Sequence, residues 1–243
     1  MGALNKMKET ILKVNNFSKD FELHALNKTI KACNNINFEV LKGEFLGIIG
    51  KSGAGKSTIL KSIYKTYIPT TGEIIFNSEI YGNVDLAKIG DREMINLRKK
   101  EIGYVSQFLK TLPRITAIEL VVHSLIESGF EKICAYDMAK DILNQFEIKE
   151  NLWDAYPNNF SGGEKLRLNL AQAMVKKPRL LLLDEPTASL DNQSKIYVKE
   201  KMLELKSQGT TMIGIFHDIE FMETVIDKTF TMAKGTMSES GVA

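Results

Sequence analysis

The sequence predicts an α/β fold, and three observations support this prediction. Short apolar segments alternate with segments in which apolar residues recur at helical spacing, as expected when strands and helices share one core. Residues 25–44 instead alternate between apolar and polar, which indicates antiparallel strands with one face in water. Residues 108–160 are mainly helical in pattern. We therefore predict an α/β core with an antiparallel β subdomain and a helical insertion lobe.

The segments follow one another in this order. The tail 1–10 is polar and rich in lysine, so we expect it to be flexible, and 11–243 is predicted to be a single domain. Its α/β core covers 11–107 and 161–243, and the helical lobe covers about 108–160. Strands are predicted at 11–14, within 25–44, and at 45–49, 72–76, 102–105, 179–183 and 211–216. Helices are predicted from Lys56, within 83–100 and 116–148, and at 161–175 and 192–208.

Composition excludes several classes of protein. With 243 residues, 44% of them hydrophobic, the chain can bury a large core, which excludes a disordered or fibrous protein. The 32 basic and 30 acidic residues give a net charge of +2, so no general attraction to nucleic acid or to an anionic membrane is expected. No run approaches the roughly 20 apolar residues of a membrane span, and the first ten residues form no apolar signal segment. A cytoplasmic location is expected.

The two cysteines give no sign of a chemical role. Cys33 and Cys134 lie far apart in the sequence and lack the spacing of metal ligands. We expect both to be small, buried hydrophobic residues. His24, His123 and Trp153 likewise belong to no motif and are interpreted as structural.

A phosphate-binding loop follows the apolar strand 45–49. Its glycines allow the backbone amides to turn towards phosphate oxygens, and the N-terminus of the next helix adds partial positive charge. Lys56 is expected to bridge the β- and γ-phosphates, and the Ser57 hydroxyl to bind Mg²⁺. A glycine-rich turn with a chance lysine is the weaker interpretation, because the flanking strand and helix stand where the motif requires them. The nucleotide-binding candidates are Gly50, Lys51, Ser52, Gly53, Ala54, Gly55, Lys56, Ser57 and Thr58.

Two carboxylates end the leucine-rich strand 179–183. This places Asp184 and Glu185 at the carboxyl edge of a parallel sheet, beside the phosphate loop. Mg²⁺ takes few protein ligands besides phosphate oxygens and water, so Asp184 is its expected partner. Glu185 is then free to orient or deprotonate the attacking water. Without the loop, such an acidic pair would more often be a helix cap or a solvated turn.

Further short motifs follow in a fixed order, and with them the chain resembles the ABC-type ATPases from about residue 11 to 231. The motifs are Gln107 after strand 102–105, the segment Ser161, Gly162, Gly163 and Glu164, the turn 188–191 and His217 after strand 211–216. The resemblance implies a core of the P-loop NTPase type with a mixed central sheet. It also implies ATP and Mg²⁺ as cofactors and ATP hydrolysis as the activity.

The resemblance assigns a role to each matching residue. Gln107 is expected to contact Mg²⁺ or the attacking water, and His217 the γ-phosphate. Ser161, Gly162 and Gly163 are expected to close on the γ-phosphate held by a second ABC ATPase chain, identical or related. Ser161 can cap the helix that follows while the two glycines expose their amides, which makes a second anion site.

Two further positions are less direct. Asp191 is expected to line the seam of the dimer. Phe21 is the best match for the aromatic residue that stacks on adenine, although His24 competes and an aromatic beside an edge strand often only packs. Glu164 departs from the glutamine usual in this family and adds a negative charge where phosphate is expected.

The system that uses the ATP is a separate question. The stretches 61–69, 105–115 and 214–218, with the pair Leu152 and Trp153, resemble the ATP-binding subunits of carbon-phosphorus lyase systems. This implies soluble lyase subunits as partners, which convert ATP and methylphosphonate into ribose 1-methylphosphonate 5-triphosphate. The same core also suits the cytoplasmic motor of a membrane transporter, with 108–115 docking on a permease. An assembly factor with negligible turnover is a third interpretation, suggested by Glu164.

Overall fold

The computed structural model describes residues 9–23, 27–106, 114–187 and 190–240. Several predicted features lie outside these residues. They are most of the N-terminal tail, His24, Gln107 and most of the predicted docking segment, and the first two residues of the turn 188–191.

Ten strands and seven α-helices are defined within the described residues, numbered in chain order. The strands are β1 (Thr10–Leu23), β2 (Lys28–Leu41), β3 (Phe45–Gly50), β4 (Thr71–Ser78), β5 (Gly82–Asp85), β6 (Ile102–Val105), β7 (Leu180–Asp184), β8 (Thr211–Ile215), β9 (Lys228–Ala233) and β10 (Thr236–Ser240). The helices are α1 (Lys56–Ile63), α2 (Asp91–Lys100), α3 (Ala117–Glu127), α4 (Lys132–Gln145), α5 (Gly162–Met174), α6 (Asn192–Ser207) and α7 (Ile219–Glu223).

The central sheet is mixed and has the strand order β10-β9-β3-β8-β7-β6. Strands β9, β3, β8, β7 and β6 run parallel, and β10 pairs antiparallel with β9. Strands β7 and β8 are buried along their whole length, as expected for parallel strands covered on both faces. Because β3, β7 and β6 are parallel, the loops that follow their carboxyl ends lie at the same edge of the sheet.

A second, antiparallel sheet has the order β2-β1-β4-β5. Its longest ladder joins β1 to β2 and contains several register shifts. In the second half of β2, buried apolar residues alternate with exposed polar ones, which agrees with the predicted single wet face. The same sheet packs its apolar face against α1 and the central sheet.

The core lies on both faces of the central sheet. One cluster joins the sheet to α3, α4, α5 and α6. The other joins it to the antiparallel sheet, α1 and α2. The central sheet therefore forms the middle layer, and the carboxyl edge of its parallel strands stays available for a site.

The predicted fold class is confirmed by this architecture, including the mixed sheet, the antiparallel sheet and the helices of residues 117–145. Strands β5, β9 and β10 and helix α7 were not predicted. One prediction about the cysteines was wrong: Cys33 is buried as expected, but Cys134 is exposed. Cys134 lies near the start of α4, and most of the first turn of this helix faces solvent.

Candidate functional site

The phosphate loop (residues 50–57) connects β3 to α1, as predicted. Two glycines make its path possible. Gly50 and Gly55 have φ angles of 146° and 102°, which L side chains rarely adopt. A Cβ at Gly50 would lie 2.3 Å from the Met232 carbonyl oxygen, and one at Gly55 would lie 2.3 Å from that of Ala32. The loop is therefore packed tightly against neighbouring backbone and needs glycine at both positions.

Lys56 begins α1, and its side chain is buried despite its charge. Its Nζ donates to the carbonyl oxygens of Gly50 at 2.7 Å and Lys51 at 3.1 Å. The ammonium thus folds back over its own loop. By contrast, Lys51, Ser52 and Gly53 are exposed at the loop's tip.

Ser57 and Asp184 come together at the edge of the sheet. The Ser57 hydroxyl donates to Asp184 Oδ1 at 3.0 Å. Asp184 is the last residue of β7 and is 9% exposed. Its other oxygen, Oδ2, accepts a hydrogen bond from the Tyr104 hydroxyl at 2.8 Å. Asp184 therefore lies beside the phosphate loop, as expected, and contacts both Ser57 and a tyrosine that the sequence did not single out.

The residues present fit a Mg²⁺ ion. Ser57 and Asp184 offer a hydroxyl and a carboxylate oxygen side by side, which suits a cation that prefers oxygen ligands. The described residues contain no group of three or more histidine, cysteine, aspartate or glutamate residues that could hold a metal by itself. Gln107, the other predicted ligand, lies outside the described residues.

Glu185 and His217 form a second pair at the same edge. Glu185 directly follows β7, and His217 lies two residues after the end of β8. The Glu185 Oε1 and His217 Nε2 atoms are 2.7 Å apart. Glu185 has a φ of 57°, a left-handed conformation that is uncommon for a residue other than glycine. Its backbone N–H donates to the Ile215 carbonyl, which holds this turn against β8.

The signature loop (residues 161–164) opens α5, with Ser161 as its N-cap. The Ser161 side chain accepts from the Glu164 N–H at 3.3 Å. In return, the Ser161 N–H and hydroxyl both donate to Glu164 Oε2 at 2.8 Å. These hydrogen bonds, the backbone one first, lower the pKa of Glu164 below its ordinary value. Glu164 therefore completes a capping box, which gives this unusual residue a structural role.

Asp191 and Phe21 were predicted from the resemblance, and their structural settings differ. Asp191 is the N-cap of α6 and accepts from the Ser194 N–H at 2.7 Å, which lowers the pKa of its carboxyl. The half-buried Phe21 lies near the end of β1, edge-on to Tyr67 at 5.1 Å, with Lys19 over its ring. The roles of Asp191 at a dimer seam and of Phe21 on adenine remain predictions.

Sequence reasoning missed residues whose role depends on contacts between distant segments. Tyr104 contacts Asp184 from β6, and Asn169 on α5 donates to the Ser106 carbonyl at 2.9 Å. Lys195 and Asp218 pair at 2.5 Å beside His217. The signal for Tyr104 would have been a polar side chain in the otherwise apolar strand 102–105, which lies next to the strand that ends in Asp184.

Comparison with known families gives one match over most of the chain. The family described as "ABC transporter" matches residues 33–188. This range contains the phosphate loop, the signature loop and the acids Asp184 and Glu185. No helix of the described residues combines the length and apolar character that crossing a bilayer requires.

Three curated relatives are each about one-third identical. The methionine import ATP-binding protein MetN of Haemophilus influenzae (strain 86-028NP) is 32% identical over 95% of this chain, which spans 65% of that protein. The cell division ATP-binding protein FtsE of Bacillus subtilis (strain 168) is 33% identical over 85% of this chain and 87% of its own length. The lipoprotein-releasing system ATP-binding protein LolD of Shewanella frigidimarina is 32% identical over 96% of this chain and 95% of its own.

One solved structure is similar over nearly its full length. It is the dimeric, post-hydrolysis state of the ATP-binding cassette MJ0796 bound to ADP and Pi. The TM-score is 0.88 with 28% sequence identity, covering 96% of this chain and 99% of that one.

Proposed function

Because the chain belongs to the ABC transporter family of ATP-binding cassettes, we propose that it is the ATP-hydrolysing subunit of a membrane transport system. The observation that carries ATP hydrolysis is the convergence of two residue pairs at one sheet edge, whereas the transport role is supported by the names of two relatives. Ser57 meets Asp184 at 3.0 Å, and Glu185 meets His217 at 2.7 Å, both beside the phosphate loop. The first pair suits the cation of Mg²⁺-ATP, and the second suits the water that attacks the γ-phosphate.

ATP binding is the first step of the proposed mechanism. The loop amides and the N-terminus of α1 hold the phosphates, and the Lys56 ammonium leaves its two carbonyl partners to meet them. Ser57 and Asp184 would hold Mg²⁺, which would offset the negative charge of the β- and γ-phosphates. Phe21 stacks on the adenine.

Hydrolysis requires a proton acceptor and a residue that senses the γ-phosphate. Glu185 orients the attacking water and accepts its proton. His217 fixes the Glu185 carboxylate through their hydrogen bond and reaches the γ-phosphate with its ring. Gln107, which follows β6 in the sequence, would contact the cation or the attacking water.

Closure of two chains completes each site. The signature loop of one chain brings the Ser161 hydroxyl and the amides of Gly162 and Gly163 to the γ-phosphate held by the other. Asp191 lies at the seam between them. The dimeric state of the similar cassette MJ0796 supports this arrangement. Hydrolysis removes the γ-phosphate that joins the two chains, so the dimer opens again.

The cassette acts at the cytoplasmic face of a membrane through a separate permease. Two relatives carry names that refer to import and to lipoprotein release, which supports a transport role, whereas a third is named for cell division. The transported substrate does not follow from these names. The chain also spans only 65% of the MetN relative, so functions of the rest of that protein are not carried over.

A second candidate is the ATP-binding subunit of a carbon-phosphorus lyase system. The stretches 61–69, 105–115 and 214–218 favour it. The pair Leu152 and Trp153 carries less weight, because both side chains pack on the core and Trp153 Nε1 donates to the Ile148 carbonyl. In this candidate role, ATP-driven closure assists the lyase subunits that make ribose 1-methylphosphonate 5-triphosphate.

The partner decides between the two candidates. The tagged chain is isolated from detergent-solubilised native cells, and its stoichiometric partners are identified by mass spectrometry. A multispanning permease that stimulates ATP hydrolysis when the pair is reconstituted supports the transport role. Soluble lyase subunits with no permease would contradict it and assign the chain to phosphonate breakdown.

A further inference from the structure

Tyr104 is the residue next to the metal-facing carboxylate that no motif accounts for. It lies on β6, whose pairing with β7 sets Tyr104 opposite Leu182, two residues before Asp184. Its hydroxyl reaches past the strand end and donates to Asp184 Oδ2 at 2.8 Å. A tyrosine that served only to pack would not need to place its hydroxyl on a carboxylate that is 9% exposed.

Two donors hold the Asp184 carboxylate from different elements. Ser57, near the start of α1, donates to Oδ1, and Tyr104, on β6, donates to Oδ2. The terminal torsion of an aspartate side chain is broad, so a carboxylate held through one oxygen rotates easily. With a donor at each oxygen, the plane of the carboxylate is fixed before any ligand binds.

The Tyr104 ring is itself held in place. It packs against the Tyr64 ring, with the two centroids 5.0 Å apart. The Arg98 guanidinium lies 4.5 Å above the Tyr64 ring, and its Nε donates to the Tyr64 carbonyl at 3.0 Å. A tyrosine hydroxyl is ordinarily protonated at neutral pH, so that of Tyr104 is available as a donor to Asp184.

We propose that Tyr104 is a positioning residue for Mg²⁺-ATP, acting through the orientation of Asp184. This inference rests on the proposed function, in which Ser57 and Asp184 hold the cation. The Ser57 hydroxyl would bind Mg²⁺ through an oxygen lone pair and keep its proton for Asp184, so the two donors together would keep Asp184 facing the loop. Hydrogen-bond partners of metal ligands typically change metal affinity by about 10- to 100-fold when removed.

Tyr104→Phe removes the hydroxyl and keeps the ring. Tyr64→Phe is the matched control, because it removes a hydroxyl from the adjacent ring and leaves the hydrogen bond to Asp184 intact. Binding of a fluorescent ATP analogue to the full chain is measured in EDTA and across a MgCl₂ series. We expect Tyr104→Phe to raise the half-saturating Mg²⁺ concentration about tenfold, with the affinity in EDTA unchanged. Tyr64→Phe should match the wild type in both conditions.

Three results would overturn the inference and leave the proposed function standing. One is a Tyr104→Phe titration that coincides with the wild type, and another is an equal loss of affinity in EDTA, which would show a structural role only. The third comes from Asp184→Asn: adding Tyr104→Phe to it should cause no further shift, and an additive shift would exclude action through Asp184. A wild-type chain that shows no Mg²⁺-dependent binding of ATP would overturn the proposed function as well.

Discussion

Replacing Glu164 with glutamine tests whether its charge stabilises α5 and at the same time opposes dimerisation around ATP. The carboxylate stabilises α5, because it accepts two hydrogen bonds from Ser161 at 2.8 Å near the positive end of the helix. In the proposed dimer, the same carboxylate lies beside the γ-phosphate of the partner chain. Glu164→Gln keeps the shape of the side chain and removes its charge. Stability and dimerisation should therefore change in opposite directions.

The structural effect should be small and dependent on pH. Loss of the ionised acceptor at the helix N-terminus costs about 0.5–1 kcal/mol in the free energy of unfolding. The pKa of Glu164 is lowered in the folded state from an ordinary value of 4.5, mainly by the Ser161 N–H. The advantage of the wild type is therefore complete above this value and is lost as the pH falls through the lower folded pKa. Urea unfolding of both proteins at neutral and acidic pH measures it.

The effect on dimerisation should be larger. When the Ser161 hydroxyl turns from Glu164 Oε2 to a phosphate oxygen, that oxygen lies at most about 6 Å from the carboxylate, since each hydrogen bond spans about 2.8 Å. At this distance, each pair of unit charges costs about 0.7 kcal/mol in water-like surroundings. Two signature loops close in each dimer, so Glu164→Gln should favour the ATP-bound dimer by about 1.4 kcal/mol, which is about tenfold in the dissociation constant.

The chain offers a close control for this experiment. Glu119 completes a second capping box, with Thr116 at the start of α3, and its hydrogen bonds of 2.9, 2.9 and 3.3 Å match those of Glu164. Both substitutions are placed on a Glu185→Gln background, and dimerisation with Mg²⁺-ATP is measured by analytical ultracentrifugation. Glu164→Gln should dimerise about tenfold more tightly and Glu119→Gln should not. Equal changes in dimerisation for the two variants, or no change in either, would show that the Glu164 charge does not oppose dimerisation.

Three further substitutions test separate parts of the site. Ser161→Arg should abolish turnover and leave ATP binding to the isolated monomer within about twofold, because the lesion acts across the dimer seam; calorimetry showing lost monomer binding would count against this. Lys56→Ala should weaken ATP binding about tenfold or more, whereas Lys51→Ala, at the exposed tip of the loop, should leave it unchanged. Equal losses of ATP affinity in a binding titration would be inconsistent with the role of Lys56. Gly55→Ala should lower the free energy of unfolding by about 2 kcal/mol or more, because its Cβ would lie 2.3 Å from a carbonyl oxygen; an unchanged urea midpoint would show that the loop can shift.

The parts of the site that follow from local sequence could be predicted. The phosphate loop, the strand ending in Asp184 and the cap at Ser161 each depend on a few neighbouring residues, and the structure has them in place. The apolar strand β3 and the glycines after it are local features that indicate the loop, although its close packing against Ala32 and Met232 depends on distant segments.

The parts that depend on contacts between distant segments could not be predicted. The bond from Tyr104 to Asp184 joins residues 80 positions apart and exists because β6 pairs with β7 in one particular register. Strands β9 and β10 have weaker apolar patterns, since residues of both face solvent, and their places in the sheet are determined by pairing of β9 with β3 and of β10 with β9. The capping box of Glu164 was not predicted, although Ser161 and Glu164 have its sequence spacing, because a charge near an expected phosphate suggested repulsion alone.

The size of the Glu185→Gln variant with Mg²⁺-ATP shows whether two chains close around bound ATP. This substitution keeps the phosphate loop and the pair of Ser57 and Asp184 intact but removes the proton acceptor, so ATP should bind and stay unhydrolysed. Sedimentation should show a monomer without nucleotide and a stable dimer with Mg²⁺-ATP. A variant that binds ATP but remains strictly monomeric would contradict the account.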